Sequence, residues 1–200
     1  MKKRVNKKLF KNKTQMIIYL FLYVICIGLF ILIGTTNYKK DESSESIKFS
    51  SLYNLVPENN VYVFSNHNDV MDILNGRSGV ILFAFPSNKY SNYYAYLLNK
   101  AALYTGVEKI YYYDFLKDRD ESNGTYETIV NKLSDYLKAN DEDIKEIYAP
   151  SVLVVKDGEV ISYLDDVIFL NGNIDINEYY KEYSNNIYSE FIEILEEYVK

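Results

Sequence analysis

Few residues in this sequence could carry chemistry on sulfur, on a metal or through an activated hydroxyl. The chain has one cysteine, Cys26, and one histidine, His67. Dithiol exchange needs two thiols, and a serine nucleophile such as Ser91 needs a general base within hydrogen-bonding reach. His67 is interpreted as a surface or helix-capping residue, and no second histidine exists to complete a metal site. The sequence therefore predicts no cysteine-pair chemistry, no metal and no cofactor.

Cys26 itself lies in a long apolar segment, Met16–Gly34, which runs for 19 residues without a charge. About 20 residues are needed to cross the hydrocarbon core of a bilayer. Seven basic residues and no acid precede the segment, so residues 1–15 are expected in the cytoplasm. A cleaved signal peptide is the alternative, but its apolar region is shorter and ends at a small-x-small site. We therefore expect an uncleaved signal anchor: one transmembrane helix in the cell membrane, with an extracytoplasmic C-terminal part.

The part of the chain after this segment is strongly acidic. All 28 acidic residues follow it, together with 15 of the 22 basic residues, since seven precede it, which gives a net charge of -13. Such a field repels nucleic acid and anionic surfaces and favours cationic partners. Solubility alone is also a sufficient explanation for this charge. No nucleic-acid partner is expected.

Beyond the predicted anchor, two regions differ in composition. Residues 35–51 are polar and are predicted to form a linker that lifts the folded part off the membrane. Residues 52–200 alternate between strand-like and helix-like apolar periodicity, which predicts an α/β fold with a central mixed sheet. The predicted strands are 61–64, 79–85, 110–115, 152–155 and 160–163. The predicted helices begin at Asn66 or Asn68, near Tyr94, after the start signal Asn123-Gly124-Thr125, and before Ile187.

This order of elements resembles the thioredoxin fold over residues 52–200. The likeness includes a helix directly after an apolar strand, and a strand led by Pro150 before a hairpin turn at Asp157-Gly158. Leu82-Phe83-Ala84-Phe85-Pro86 resembles the thioredoxin-like proteins of Gram-positive bacteria that include bacteriocin transport accessory proteins. The resemblance implies a three-layer fold with a central mixed sheet, preceded by one transmembrane helix.

In that family a Cys-x-x-Cys motif follows the Phe-Pro pair after one residue, which places its two cysteines at Asn88 and Ser91. The sequence instead reads Asn88-Lys89-Tyr90-Ser91. Neither a carboxamide nor a hydroxyl can attack or resolve a disulfide. The resemblance therefore implies that the domain is redox-inactive and is not an enzyme.

A second segment that the resemblance singles out is Ala149-Pro150-Ser151, which matches the cis-proline loop facing the active site. In the family, the backbone beside this proline pairs with an extended substrate peptide. A peptide-binding surface formed by Asn88, Lys89, Tyr90, Ser91, Ala149, Pro150 and Ser151 could therefore persist without the cysteines.

The sequence leaves several functions open. The first is a non-catalytic accessory that binds a peptide or protein at the outer face of the membrane. The alternative is a thioredoxin-family component of a disulfide-exchange or bacteriocin-export pathway that acts with a thiol-bearing partner. A structural subunit of a membrane complex is a third possibility. Four tyrosines near the vestigial site either hold the peptide or pack the core: Tyr90, Tyr93, Tyr94 and Tyr148.

Overall fold

The computed structural model describes residues 17, 20–25, 44–140, 142–165 and 175–200. Two compact units are present, Met1–Glu42 and Ser43–Lys200. In the first unit, residues 17 and 20–25 are helical. The rest of the predicted anchor Met16–Gly34, with Cys26 and the basic residues 1–15, lies outside the described residues. Within the ranges given above, no helix is long and apolar enough to cross a membrane.

The second unit is built around a five-stranded mixed sheet with the strand order β1-β3-β2-β4-β5. The pairs β1–β3 and β2–β3 are parallel, whereas β2–β4 and β4–β5 are antiparallel. The central strand β2 is buried along its whole length, as its continuous apolar sequence predicts for a strand covered on both faces. The strands are β1 (Tyr62–Phe64), β2 (Gly79–Phe83), β3 (Ile110–Tyr113), β4 (Ser151–Lys156) and β5 (Glu159–Asp165).

The predicted hairpin joins β4 to β5 and is antiparallel. Its turn residues Asp157 and Gly158 have φ angles of 52° and 83°, the pair of positive values that a tight two-residue hairpin requires. A Cβ added at Gly158 would lie 2.7 Å from Cα of Gly76. Glycine is therefore needed at this turn both for its backbone angle and for the close approach of the neighbouring loop.

Helices on both faces of the sheet divide the core of this unit into two layers. One core lies between the sheet and helices α1, α3 and α6, and the other lies between the sheet and helices α2 and α5. Alternate residues of β2 face opposite layers: Leu82 packs in the first core and Phe83 in the second. The helices are α1 (residues 44–52), α2 (His67–Leu74), α3 (Ser91–Thr105), α4 (Leu116–Asp120), α5 (Gly124–Lys132) and α6 (Ile176–Val199).

Helix ends follow the capping signals in the sequence. Asn66 caps α2, because its side chain accepts from the backbone N–H groups of Asn68 and Asp69, and Asp69 completes a capping box. Helix α3 ends at Gly106, which adopts a left-handed conformation. Asn123 caps α5 by accepting from the backbone N–H of Thr125, and the helix runs from Gly124 to Lys132.

The prediction that residues 35–51 form a linker is wrong for residues 44–51. The second compact unit begins at Ser43, and the helix over residues 44–52 contributes to the core. Phe49 is fully buried and stacks on Tyr62 at 3.9 Å between ring centroids. One aromatic ring placed against the sheet outweighs the polar composition of the helix, since burying a Phe side chain contributes about 1.5–3 kcal/mol.

Candidate functional site

The loop between β2 and α3 and the loop before β4 are held together by one side chain. Asn88 Nδ2 donates to the backbone oxygen of Ala149 at 2.8 Å. Asn88 Oδ1 accepts from the backbone N–H groups of Tyr90 at 2.9 Å and Ser91 at 3.1 Å. The structure thus brings together the two segments that the resemblance singled out, and Asn88 orders the chain entering α3 as an Asx turn.

The second of these segments contains a cis peptide bond between Ala149 and Pro150, as the resemblance implies. Pro150 is buried, and so is Ser151 at the start of β4. The Tyr163 hydroxyl donates to Ser151 Oγ at 3.2 Å. Burial raises the pKa of Tyr163 well above its usual value, so this phenol stays protonated as a hydrogen-bond donor.

The predicted peptide-binding surface is largely closed. Tyr90 is 6% exposed and Ser91 is fully buried, whereas Asn88 and Ala149 are half-buried and Lys89 is exposed. The prediction that all seven residues form a surface is therefore wrong for Tyr90, Ser91, Pro150 and Ser151. An approaching chain would meet Lys89 and the edges of Asn88 and Ala149.

Helix α6 covers Tyr90 at the loop between β2 and α3. The Tyr180 hydroxyl donates to the backbone oxygen of Tyr90 at 3.0 Å, and Tyr179 meets the Tyr90 ring edge-on at 6.4 Å. Tyr94 packs edge-on against Phe191 at 4.8 Å. Of the four tyrosines singled out in the sequence, Tyr90 and Tyr94 thus pack the core.

Ser91 has no general base beside it among the described residues. Its Oγ is buried and makes no hydrogen bond in the part of the chain that the structure describes. A serine nucleophile needs a general base within hydrogen-bonding reach, and Ser91 has none there. His67 instead lies at the first position of α2, with Nδ1 3.9 Å from Asp118 Oδ2.

Asp118 is the centre of a second polar cluster, near the carboxyl ends of β1 and β3. Its carboxylate accepts from the Tyr113 hydroxyl and from Asn123 Nδ2, the latter at 3.2 Å. Burial, followed by the bond to Asp118, raises the pKa of Tyr113 well above its ordinary value. The cluster joins α2, β3, α4 and α5, and nothing near it provides a metal site: no group of three or more His, Cys, Asp or Glu side chains that could hold an ion occurs among the described residues.

A groove of about 360 Å³ runs between α3 and α6, next to the part of the β2–α3 loop that α6 covers. At its near end Tyr93 stacks on Tyr180 at 4.1 Å, and the Tyr93 hydroxyl is hydrogen-bonded to Asn177 Oδ1 at 3.0 Å. Further along, Lys100 Nζ lies 4.5 Å from the centroid of the Tyr188 ring. The lining residues are Tyr93, Tyr96, Leu97 and Lys100 of α3, with Asn177, Tyr180, Lys181, Ser184, Asn185 and Tyr188 of α6.

Reasoning from the sequence missed this groove. The apolar stripe of α3 includes Tyr94, Leu98 and Ala102, which are all buried. Tyr93, Tyr96 and Lys100 follow a parallel stripe at i, i+3 and i+7, which places them on one face of a helix. That spacing was a usable signal, but the partner helix that forms the other wall could not be identified from α3 alone.

No protein-family model matches the chain, and no curated protein matches it. The fold therefore defines the protein only as a mixed α/β protein with a five-stranded mixed sheet and helices on both faces.

Proposed function

We propose that this chain is a membrane-tethered, thioredoxin-like protein without redox activity, and that it binds an extended peptide or a partner protein at the outer face of the membrane. The observation that carries the proposal is the position of Asn88. A side chain that cannot exchange disulfides fills the first cysteine position of the resemblance and is hydrogen-bonded to the loop before β4. The two loops are joined by a side chain that cannot exchange disulfides, which supports a binding role over a redox role.

The sheet supports the thioredoxin-like part of the proposal. A mixed sheet with helices on both faces is what the resemblance implies. The loop after Phe85-Pro86 and the Ala149-Pro150 loop are far apart in sequence, and the resemblance requires them to be neighbours. The antiparallel pairing of β2 with β4, in which Phe83 lies opposite Ser151, makes these loops neighbours, and the Asn88 hydrogen bond joins them directly.

The hydrogen bond to Ala149 also limits how a peptide can bind. A carbonyl oxygen has two lone pairs, and Asn88 occupies one of them. A peptide strand that pairs with this backbone must use the second lone pair or displace the Asn88 amide. Binding is therefore expected to engage the exposed Lys89 together with the half-buried edges of Asn88 and Ala149.

The tether is supported by the sequence of residues 1–34. An uncharged apolar run of 19 residues follows seven basic residues, the pattern of a single anchor with a cytoplasmic N-terminus. The acidic remainder of the chain then faces outward. A protease-accessibility assay on intact and permeabilised cells, reading a tag after Lys200, tests this orientation.

Insulin reduction tests whether the protein is redox-inactive. The full chain carrying Cys26→Ser should show no turnover, and the same chain with Asn88→Cys and Ser91→Cys should gain it if these positions match the lost motif. The matched control is Asn66→Cys with Asp69→Cys, which places the same spacing at the start of α2. Turnover by the Cys26→Ser chain would overturn the proposal, and so would a double variant no more active than its control.

Cross-linking tests the binding surface. In a Cys26→Ser background, Lys89→Cys provides one thiol to which a photo-activated benzophenone maleimide can be attached. Lys132→Cys, exposed on α5, is the matched control. We expect a defined adduct from position 89 that is absent from position 132. The same adducts from both positions would show that the loop binds no partner selectively.

A further inference from the structure

The groove between α3 and α6 differs from the rest of the domain in its charge. Its only charged lining residues are Lys100 and Lys181, and no carboxylate is among the ten residues that form its described walls. Helix α3 contains no acidic residue at all. This basic strip lies in a part of the chain that carries 28 acids and 15 bases.

Neither lysine is paired with an acid in the described part of the chain. Among the described residues, Lys100 contacts the Tyr188 ring and forms no ion pair, and Lys181 forms no ion pair. Other lysines are paired, since Lys117 contacts Glu121 at 3.9 Å and Lys138 contacts Asp165. The two groove lysines are therefore available to an anionic ligand.

The walls between the lysines are aromatic. Tyr96 is 38% exposed, and Tyr93 and Tyr188 are half-buried around the nearly buried Leu97. Rigid tyrosine rings provide contact area at a low cost in conformational entropy, together with hydroxyls for hydrogen bonding. Such walls fit one large apolar or aromatic side chain, and the lysines fit carboxylates on either side of it.

The length of the groove also suits a peptide. Its α6 wall runs from Asn177 to Tyr188, which is about 16 Å at about 1.5 Å per helical residue. An extended chain covers that length with about five residues. The acids nearest in sequence to Lys181 are Glu178 and Glu182, on the same helix but outside the groove lining. Charges more than a Debye length of about 8 Å away are largely screened at physiological salt.

We propose that the α3/α6 groove docks an acidic segment of a partner protein, in which a large apolar or aromatic side chain lies between carboxylates that pair with Lys100 and Lys181. This inference rests on the proposed binding function and assigns it a second surface and a partner chemistry. The groove begins at Tyr93, in the first turn of α3, so one partner can contact both the groove and the Lys89 loop.

The test uses the full chain in an uncharged detergent and a fluorescein-labelled peptide, acetyl-Glu-Glu-Phe-Glu-Glu-amide, with binding followed by fluorescence anisotropy. Lys100→Ala with Lys181→Ala should weaken binding about tenfold, because both ion pairs to the peptide carboxylates are lost. Lys132→Ala with Lys156→Ala changes the net charge equally outside the groove and should leave the affinity unchanged.

A second pair of variants tests the aromatic wall. Tyr96→Ala should weaken binding several-fold, whereas Tyr104→Ala, on the same helix but outside the groove and 69% exposed, should not. Tyr96 and Tyr104 are both exposed, so both variants should stay folded. Near-UV circular dichroism checks this. Added sodium chloride should weaken binding to the unmodified chain.

Three results would overturn the inference: no peptide binding, equal losses from the groove and control lysines, or displacement of the peptide by short-chain phosphatidylglycerol but not by unlabelled peptide. The last result would assign the groove to a lipid headgroup. A defined adduct at position 89 without peptide binding would reject the groove and keep the proposed function. Peptide binding without that adduct would keep the groove and reject the Lys89 surface.

Discussion

At the scale of single residues, Asn88 orders the loop between β2 and α3 and ties it to the loop before β4. Its amide satisfies two backbone donors at the start of α3 and one carbonyl of the neighbouring loop. A thiol is a weak donor and acceptor and could not make these three bonds as well. The carboxamide therefore has a structural role at this position, and its loss should affect stability.

Asn88→Ala should lower the free energy of unfolding by about 1–3 kcal/mol, because it removes the Asx turn and leaves the Ala149 carbonyl without its donor. Asn88→Asp keeps an acceptor near a helix N-terminus and should lose less. Urea unfolding followed by near-UV circular dichroism measures both. If Asn88→Ala were as stable as the unmodified chain, the bond between the loops would carry no stability.

Ser91 differs from Asn88, because its hydroxyl is buried without a hydrogen bond among the described residues. Ser91→Ala removes that cost and should leave the unfolding free energy unchanged or raise it by up to about 1 kcal/mol. Ser151→Ala is the matched control, because Ser151 is equally buried but hydrogen-bonded to Tyr163. That variant should be destabilised by about 1–2 kcal/mol. A clear loss on Ser91→Ala would show that its hydroxyl has a partner after all.

At the scale of secondary-structure elements, α1 shows how a few aromatic contacts decide which segments belong to a fold. Ser46, Phe49 and Tyr53 lie at i, i+3 and i+7 and are all buried, so one face of a mainly polar segment packs on the sheet. Phe49 also meets Tyr112 edge-on at 5.0 Å. The exposed face of the helix includes Ser44, Lys48 and Ser51.

Phe49→Ala should therefore destabilise the domain by about 3–5 kcal/mol, the usual cost of truncating a buried Phe. Ile47→Ala, on the same helix but 51% exposed, should change stability by less than about 0.5 kcal/mol. Both values come from urea unfolding of the full chain. Equal, small effects would mean that α1 behaves as a linker in solution.

At the scale of the whole molecule, the parts of the fold that the sequence predicted are those set by local chemistry. The buried β2, the Asp157-Gly158 turn and the Asn66 cap each depend on residues adjacent in sequence. Helix α1 was missed because its apolar residues are too few to show a period without the sheet they contact. The resemblance indicates where the two loops of the site lie in the sequence. The burial of Tyr90 could not be predicted, because it depends on Tyr179 and Tyr180, about ninety positions further on.

The buried tyrosines around Phe49 determine how the domain should respond to alkaline pH. Tyr53, Tyr62 and Tyr112 surround Phe49, and Tyr53 donates to the Tyr112 hydroxyl at 3.1 Å. Burial raises the pKa of all three well above the usual value for tyrosine. In the unfolded chain the same phenols ionise near pH 10.

Since the native pKa values are raised, the unfolded state releases these protons first. Their contribution to stability is fully present below about pH 10 and decreases as the pH rises further. We expect the domain to unfold cooperatively above about pH 10, with tyrosinate absorbance rising together with the loss of near-UV circular dichroism. In urea the tyrosines should instead titrate in one step near pH 10.

Tyr62→Phe provides the matched variant for this prediction. At neutral pH it should cost about 1 kcal/mol, because the Tyr62 hydroxyl donates to the backbone oxygen of Ala95 at 2.7 Å. Above pH 10 its stability should fall less steeply, since one fewer proton is released on unfolding. Ionisation of all 22 tyrosines in one step near pH 10 while the near-UV signal persists would show that this aromatic cluster is open to solvent, and the packing of α1 on the sheet would then be wrong.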